Sequence, residues 1–154
     1  MATIVAVSVV VIDQLSKWWA VSTLIDHPVY LFGSDVGFQL IRNSGGVLSL
    51  FQSFTPILAI LAIILTFVLM RVIRRSDDLL TTLGLALILG GAVGNLLDRI
   101  FRQPSIFEGA VVDFIRVGNF PIFNVADSAI TVGAVLVIIA SFTASSRRST
   151  GLTP

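Results

Sequence analysis

The sequence predicts an all-α integral membrane protein with four transmembrane helices and a small β-element outside the membrane. Hydrophobic residues make up 55% of the 154 residues and charged residues only 12%, about half the share that a soluble domain carries. The mean hydropathy is +0.97. Apolar stretches close to the length that crosses about 30 Å of hydrocarbon recur along the chain, and we expect residues 1–154 to form a single membrane domain.

The predicted helices span approximately 2–25, 55–71, 79–98 and 121–142. The first run lacks a basic start and a small-residue cleavage site, so we interpret it as a helix and not as a signal peptide. Pro56 suits the first turn of the second helix and Pro121 opens the fourth. Gly90 and Gly94 in the third helix form a small-xxx-small pair that permits close helix contact.

Two longer connections, 26–54 and 99–120, separate these helices. The first is rich in Gly, Ser and Asp, and residues 36–42 within it have strand character. It is too long for a tight helix connection, so a small extramembrane element is predicted there. A lid role is a reasonable hypothesis for this connection.

The arginines predict the orientation of the chain. Positively charged loops face the cytoplasm, and two connections on the same side of a four-span protein carry Arg71, Arg74, Arg75, Arg147 and Arg148. Both termini are therefore predicted in the cytoplasm, and both long connections outside it.

In this topology, polar residues from five segments gather near the outer interface. Such residues are expensive in lipid and usually face a functional interior. Asp13–Lys17 and Asp98–Arg99 are interpreted as structural ion pairs. Asp113 and Asp127 have no basic neighbour in their own segments, which favours a chemical role. The remaining members of the group are Asn43, Asn95 and Asn124.

The residue inventory limits the chemistry of this group. The chain has no cysteine, and its single histidine, His27, lies before Pro28 in a polar loop. Two carboxylates without metal ligands suggest acid–base work on water, in which one is ionised and the other protonated. This is the aspartic peptidase arrangement, although the sequence leaves open whether Asp113 and Asp127 meet. No basic patch supports nucleic-acid binding.

Two motifs, Val-Asp-Phe (112–114) and Phe-Asn-Val-Ala-Asp-Ser (123–128), resemble the signature of the bacterial lipoprotein signal peptidase, or type II signal peptidase, family. Three further blocks also match: Asp-Gln-Leu-Ser-Lys (13–17), Arg-Asn-Ser-Gly (42–45) and the glycine-rich block at 90–99. All five occur in the order of the family and span nearly the whole chain.

The resemblance implies a four-helix bundle with a small outer β-element and an outer amphipathic segment. It implies that Asp113 and Asp127 are catalytic and that no cofactor or metal is used. The residues implied to bind substrate or shape the site are Asn43, Gly45, Gly91, Asn95, Arg99, Asn124, Asp13 and Lys17.

The implied substrate is a diacylglyceryl-modified prolipoprotein, cleaved just before the lipidated lipobox cysteine. We further expect the protein in the bacterial cytoplasmic membrane, in contact with membrane lipid, with its active site near the outer leaflet; the sequence leaves the oligomeric state open, and a monomer is the simplest expectation. A cyclic lipopeptide inhibitor is expected at that site. The chain departs from the family pattern at Gly-Val-Leu (46–48), where the family usually has Ala-Ala-Phe.

Three other functions are suggested by single features of the sequence. Ser16 adjoins Lys17, as a serine–lysine peptidase would require, but adjacent helix residues point about 100° apart. A small proton-linked transporter could use Asp13 and Asp127, yet transporters need a path through both leaflets and often carry repeated halves. A purely structural membrane protein would tolerate Asp→Asn at both candidate catalytic positions.

Overall fold

The computed structural model describes residues 1–33, 35–45 and 55–149. The helices are α1 (Ala2–Thr23), α2 (Thr55–Ile73), α3 (Leu79–Phe101) and α4 (Val125–Ser149), and the strands are β1 (Val29–Phe32), β2 (Val36–Asn43) and β3 (Val111–Val117). Each helix is long and apolar enough to cross a membrane. The predicted fold class, four spanning helices with a small sheet, is confirmed. The departure at 46–48, and with it the expected outer amphipathic segment, lies outside the described residues.

The fourth helix begins later than predicted. It starts at Val125 and not at Pro121, because the preceding residues are held in an extended conformation by β3. Phe123 and Ile115 exchange backbone hydrogen bonds of 2.8 and 3.1 Å in an isolated bridge. The first helix ends at Thr23, two residues before its predicted end, whereas α2 and α3 extend to Ile73 and Phe101.

The connection predicted as a loop at 99–120 contains a strand. β3 pairs antiparallel with the middle strand of a three-stranded sheet of order β1-β2-β3. The register sets Asp113 opposite Ile41 and Val111 opposite Asn43. One pairing therefore brings the two connections between helices together at the same end of the bundle.

Helix α3 is the centre of the bundle. It packs against all three other helices, whereas α1 and α2 scarcely touch each other among the described residues. Much of the apolar surface faces outward; only 11% of the spanning window of α2 is buried inside the protein. Such an outer surface suits hydrocarbon and would be unfavourable in water.

The sheet is anchored to the C-terminal end of α1 by a small apolar cluster. Ala20 of α1 and Leu24, which directly follows this helix, pack with Val112 and Phe114 of β3. The ring of Trp19 meets Phe38 edge-on, with centroids 5.5 Å apart. Because residues 112 and 114 are fixed in this cluster, the position of Asp113 between them is fixed as well.

Helices α3 and α4 approach closely at glycines. A Cβ atom at Gly84 would lie 2.7 Å from the carbonyl oxygen of Gly133, and one at Gly133 would lie 2.5 Å from that of Gly84. A Cβ atom at Gly91 would collide with the carbonyl oxygen of Ala126. Small residues thus let the two backbones meet directly, one residue away from Asp127.

We therefore expect Gly91→Ala to destabilise the fold. The obstructing atom is backbone, so the helices would have to separate, and overpacking of this kind costs about 1–3 kcal/mol. Denaturant unfolding in detergent micelles measures the loss. Val7→Ile, which adds a methyl group on the exposed side of α1, is the matched control. Equal stability of the two variants would contradict the close packing.

Candidate active site

Asp113 is held by two asparagine side chains. It lies on β3, is 2% exposed, and each carboxylate oxygen accepts one hydrogen bond. Asn43 Nδ2 donates to Oδ2 at 2.9 Å, and Asn124 Nδ2 donates to Oδ1 at 2.7 Å. Asn43 is itself fixed by the turn that follows β2, where the backbone N–H of Gly45 donates to its Oδ1 at 2.9 Å. Gly45 has φ +107°, a conformation that favours glycine.

Asp127 lies in the first turn of α4, within a reciprocal capping box. Asn124 is the residue before the helix; its Oδ1 accepts from the backbone N–H of Asp127 at 2.9 Å. In return, Asp127 Oδ2 accepts from the backbone N–H of Asn124 at 3.2 Å. Asn95 on α3 completes the arrangement by donating from Nδ2 to Asp127 Oδ1 at 2.8 Å. The local sequence, Asn-x-x-Asp, therefore both starts the helix and fixes the position of the Asp127 carboxylate.

Asn124 joins the two carboxylates. It is fully buried, and its amide group donates to Asp113 while its carbonyl oxygen accepts from the backbone of Asp127. Asp113 and Asp127 line the same cavity of about 530 Å³. The structure thus brings Asp113 and Asp127 together, a question that the sequence alone left open. The cavity is completed mainly by Phe120, Pro121, Ile122, Phe123, Ser128, Thr131 and Val132.

A network of buried charges lies behind this cavity. Lys17 Nζ is 2.8 Å from a carboxylate oxygen of Asp13 and 2.8 Å from one of Asp98, and all three side chains are fully buried. Arg102 Nε adds a contact of 2.7 Å to Asp98. The predicted Asp13–Lys17 pair is confirmed. The predicted Asp98–Arg99 pair is wrong, because Asp98 faces Lys17 and the residue one helical turn further on, Arg102.

The same network holds the backbone beside each of the two aspartates in the cavity. Asp13 Oδ1 accepts from the backbone N–H of Ala126 at 2.9 Å, one residue before Asp127. Asp98 Oδ2 accepts from the backbone N–H of Val112 at 3.1 Å, one residue before Asp113. Lys17 binds both of these supporting carboxylates. One buried cation therefore links the start of α4 to β3.

Lys17 also orients the asparagines. It donates from Nζ to Asn95 Oδ1 at 2.8 Å, and an ammonium group can only donate. The oxygen of Asn95 must therefore face Lys17, and its amide nitrogen is left to face Asp127. Asn124 Nδ2 donates to the same oxygen at 3.1 Å. The charge of Lys17 therefore fixes the orientation of the Asn95 side chain, and with it the direction of the hydrogen bond from Asn95 to Asp127.

Burial sets the protonation of Asp113. The pKa of its carboxyl is raised from 3.8 to about 6, and loss of water on burial is the largest cause. The hydrogen bonds from Asn43 and Asn124 lower this pKa, whereas the charge of the nearby Asp127 raises it. A carboxyl with a pKa near 6 can hold a proton in mildly acidic conditions and release it near neutrality, which suits acid–base chemistry.

Comparison with known proteins identifies the family of this chain. The model of the family described as signal peptidase (SPase) II matches residues 5–143. The chain belongs to the signal peptidase II family. The lipoprotein signal peptidase of Streptomyces coelicolor is 43% identical over 139 residues, which cover 90% of this chain and 68% of the relative. That of Mycobacterium tuberculosis strain H37Rv is 42% identical over 138 residues, 89% of this chain and 68% of the relative.

The fold of this signal peptidase II family member is also found among solved structures. A bacterial membrane enzyme structure determined by the in meso method at 2.3 Å resolution has a TM-score of 0.81 and 30% identity, and the match covers 95% of this chain and 90% of that one. The predicted family resemblance and the predicted enzyme class, a peptidase, are confirmed.

The structure places the other predicted site residues at the same end of the bundle. Arg99 is half-buried at the end of α3, within electrostatic range of Asp113 and Asp127. Its Nη1 atom is buried and has no hydrogen-bond partner among the described residues. Gly91 lies where α3 meets the backbone of Ala126, so it shapes the site by allowing close packing.

Sequence reasoning missed three supporting side chains of this signal peptidase II site. Asp98 was interpreted as a partner of Arg99, and neither Gln14 nor Arg102 was assigned a role. Gln14 Nε2 donates to the carbonyl oxygen of Gly94 at 3.0 Å and to Asp98 Oδ1 at 3.3 Å. The spacing of Asp98 and Arg102, i and i+4, was the available signal.

Ser16 does not have the contacts of a nucleophile activated by lysine. Its Oγ donates to the carbonyl oxygen of Asp13 at 2.8 Å, a local bond within α1. Lys17 Nζ is instead held by Asp13, Asp98 and Asn95. These contacts weigh against the serine–lysine alternative.

Breaking the buried network should cost much stability. Lys17→Met leaves two buried carboxylates without their shared cation, and Asp98→Asn removes one of the partners. Each is expected to lower the free energy of unfolding by about 3–5 kcal/mol. The double variant should lose less than the sum of the two, because the side chains interact directly. Denaturant unfolding in micelles measures all three.

The matched control is Asp77→Asn, which removes an exposed carboxylate and should leave stability within about 0.5 kcal/mol. Strictly additive losses for Lys17→Met and Asp98→Asn would contradict a shared network.

Proposed function

We propose that this protein is a membrane-embedded aspartic endopeptidase that removes signal peptides from diacylglyceryl-modified prolipoproteins by cleaving before the lipidated lipobox cysteine. The observation that carries the proposal is the joint arrangement of Asp113 and Asp127 on one cavity, bridged by Asn124. Lipoprotein signal peptidases with more than 40% identity over most of the chain support the substrate class.

The two aspartates divide the work of hydrolysis. Asp127, both of whose oxygens accept hydrogen bonds, acts as the ionised base and takes a proton from a bound water. The water oxygen attacks the peptide carbonyl carbon while the Asp113 carboxyl donates its proton to the carbonyl oxygen. The proton held by Asp127 then passes to the leaving nitrogen, Asp113 takes back a proton from one hydroxyl group of the tetrahedral intermediate, and the C–N bond breaks to give a carboxylic acid and an amine. The raised pKa of Asp113 supports its role as the acid.

Arg99 and Asn43 serve this reaction from either side of the pair. The buried Nη1 of Arg99 has no partner among the described residues, so it is available to a carbonyl oxygen of the substrate backbone. Asn43 keeps Asp113 in position. Gly45 fixes Asn43, and Asn95 fixes Asp127. Asp13 and Lys17 hold the site from behind.

The cavity suits a lipid-modified peptide that arrives from the membrane. Its lining combines the two carboxylates and small hydroxyl side chains with the apolar surfaces of Phe120, Ile122 and Val132. It lies at the end of the spanning helices, where a transmembrane signal peptide ends and a diacylglyceryl group begins. A cyclic lipopeptide inhibitor would occupy this same cavity.

We propose further that the protein lies in the bacterial cytoplasmic membrane with both termini in the cytoplasm. Arg71, Arg74 and Arg75 lie at the opposite end of the helices from the candidate site, and positive residues mark the cytoplasmic side. The site then lies near the outer leaflet, where lipoprotein precursors present their cysteine. A single copy of the chain carries every residue of the proposed site, so a monomer suffices.

Asp113→Asn and Asp127→Asn should each abolish cleavage and leave the protein folded. General acid–base residues contribute factors of about 100 to 10,000, so we expect at least about a 100-fold loss in kcat. A gel-shift assay with a diacylglyceryl-modified prolipoprotein in detergent measures the rate. Asp26→Asn, at an exposed position outside the cavity, should cleave normally. Cleavage by either catalytic variant at a rate close to that of the parent would show that the pair is misassigned.

The pH profile should report the proton on Asp113. Because the acid form is required, kcat/KM should fall as pH rises through the pKa of about 6. Asn43→Ala removes a hydrogen bond that lowers this pKa, so the descending limb should move to higher pH. Asn119→Ala, at an exposed position, should leave the limb unchanged. A shift to lower pH in Asn43→Ala would assign the acid role to another group.

A further inference from the structure

The bundle has an apolar groove at the end opposite the candidate site. Because α1 and α2 pack on α3 and scarcely on each other, a space of about 410 Å³ remains between them. Its walls come from the first half of α1, the second half of α2 and the middle of α3, and include Val7, Val11, Met70 and Val93. The part of α1 that lines it, residues 2–11, is about 14 Å long at 1.5 Å per residue.

Arginines stand at one end of this groove. Arg74 lines the groove and, together with Arg71 and Arg75, also lines an adjoining cavity. All three are exposed, and none forms an ion pair within the described part of the chain, where the recorded pairs involve Asp13 and Asp98.

We propose that this groove binds one anionic phospholipid, with an acyl chain between α1 and α2 and its phosphate against Arg71, Arg74 and Arg75. The groove lies within apolar spans, so a hydrocarbon chain fills it at no desolvation cost. The arginines select the headgroup, because guanidinium groups form charge-assisted hydrogen bonds with phosphate oxygens. Basic pockets between spanning helices bind anionic headgroups in this way. The proposal is independent of the peptidase function.

The headgroup is tested by native mass spectrometry of the full chain in detergent. Phosphatidylglycerol and phosphatidylcholine with identical acyl chains are titrated separately. We expect one phosphatidylglycerol per chain, retained at least 10-fold more tightly than phosphatidylcholine. The triple variant Arg71→Gln, Arg74→Gln, Arg75→Gln should lose this preference. Arg42→Gln, which removes an exposed arginine from β2, should keep it.

The groove is tested by filling it. Val7→Trp places a large side chain on the groove wall at a position that is 55% exposed, so the packed core is left intact. It should lose retention of the lipid, whereas Ile4→Trp, on the same helix but not on the described groove wall, should keep it. Circular dichroism of each variant confirms that the helices have formed.

Four results would overturn the proposal. Equal retention of both lipids by the parent would show that the groove does not select the headgroup. Unchanged retention in the triple variant would show that the three arginines do not bind the phosphate. Loss of the lipid on addition of soluble glycerol phosphate would assign the cluster to free phosphate. A lipid-free dimer that Val7→Trp dissociates would assign the groove to a second copy of the chain.

Discussion

The structure depends on one buried ammonium group. Lys17 is fully buried within a membrane span, and so are its partners Asp13 and Asp98. Charges in hydrocarbon are expensive unless they are paired and hydrogen-bonded, so this cation can be accommodated only where α1 and α3 meet in one relative position. Because its partners in turn bind the backbones of Ala126 and Val112, the electrostatic requirement extends to α4 and to the sheet.

The fold also gives the two aspartates of the site different surroundings. Each proposed catalytic aspartate lies on a different kind of element, Asp113 on a buried strand and Asp127 at the start of a helix. Their environments therefore differ although their side chains are the same. Burial beside the apolar cluster raises the pKa of the Asp113 carboxyl, while Asp127 accepts a hydrogen bond from the backbone N–H of Asn124 at a helix N-terminus. Two identical residues can thus act as acid and base, as the proposed hydrolysis requires.

The level of the polar side chains along the helices could be predicted from the sequence, and their partners could not. The four spans follow from hydropathy, and counting residues along them places the polar side chains at one level. Partner choice depends on rotation about each helix axis: Asp98 and Arg102 share a face, whereas Asp98 and Arg99 do not. The strand β3 was missed because its partner β2 is about 70 residues away. The late start of α4 was missed because two helix-start signals, Pro121 and the capping residue Asn124, lie close together in the sequence.

The space between the helices is filled differently at the two ends of the bundle. At the end that carries the candidate site, charged and amide side chains fill the space between α1, α3 and α4, which fixes the helices and positions the proposed catalytic pair. At the other end, α1 and α2 separate and leave an apolar groove with arginines at its end. A space within a bilayer must be filled by protein or by lipid, so the part of the molecule that needs precise geometry is filled by protein. The end that only anchors the bundle can leave that space to a lipid.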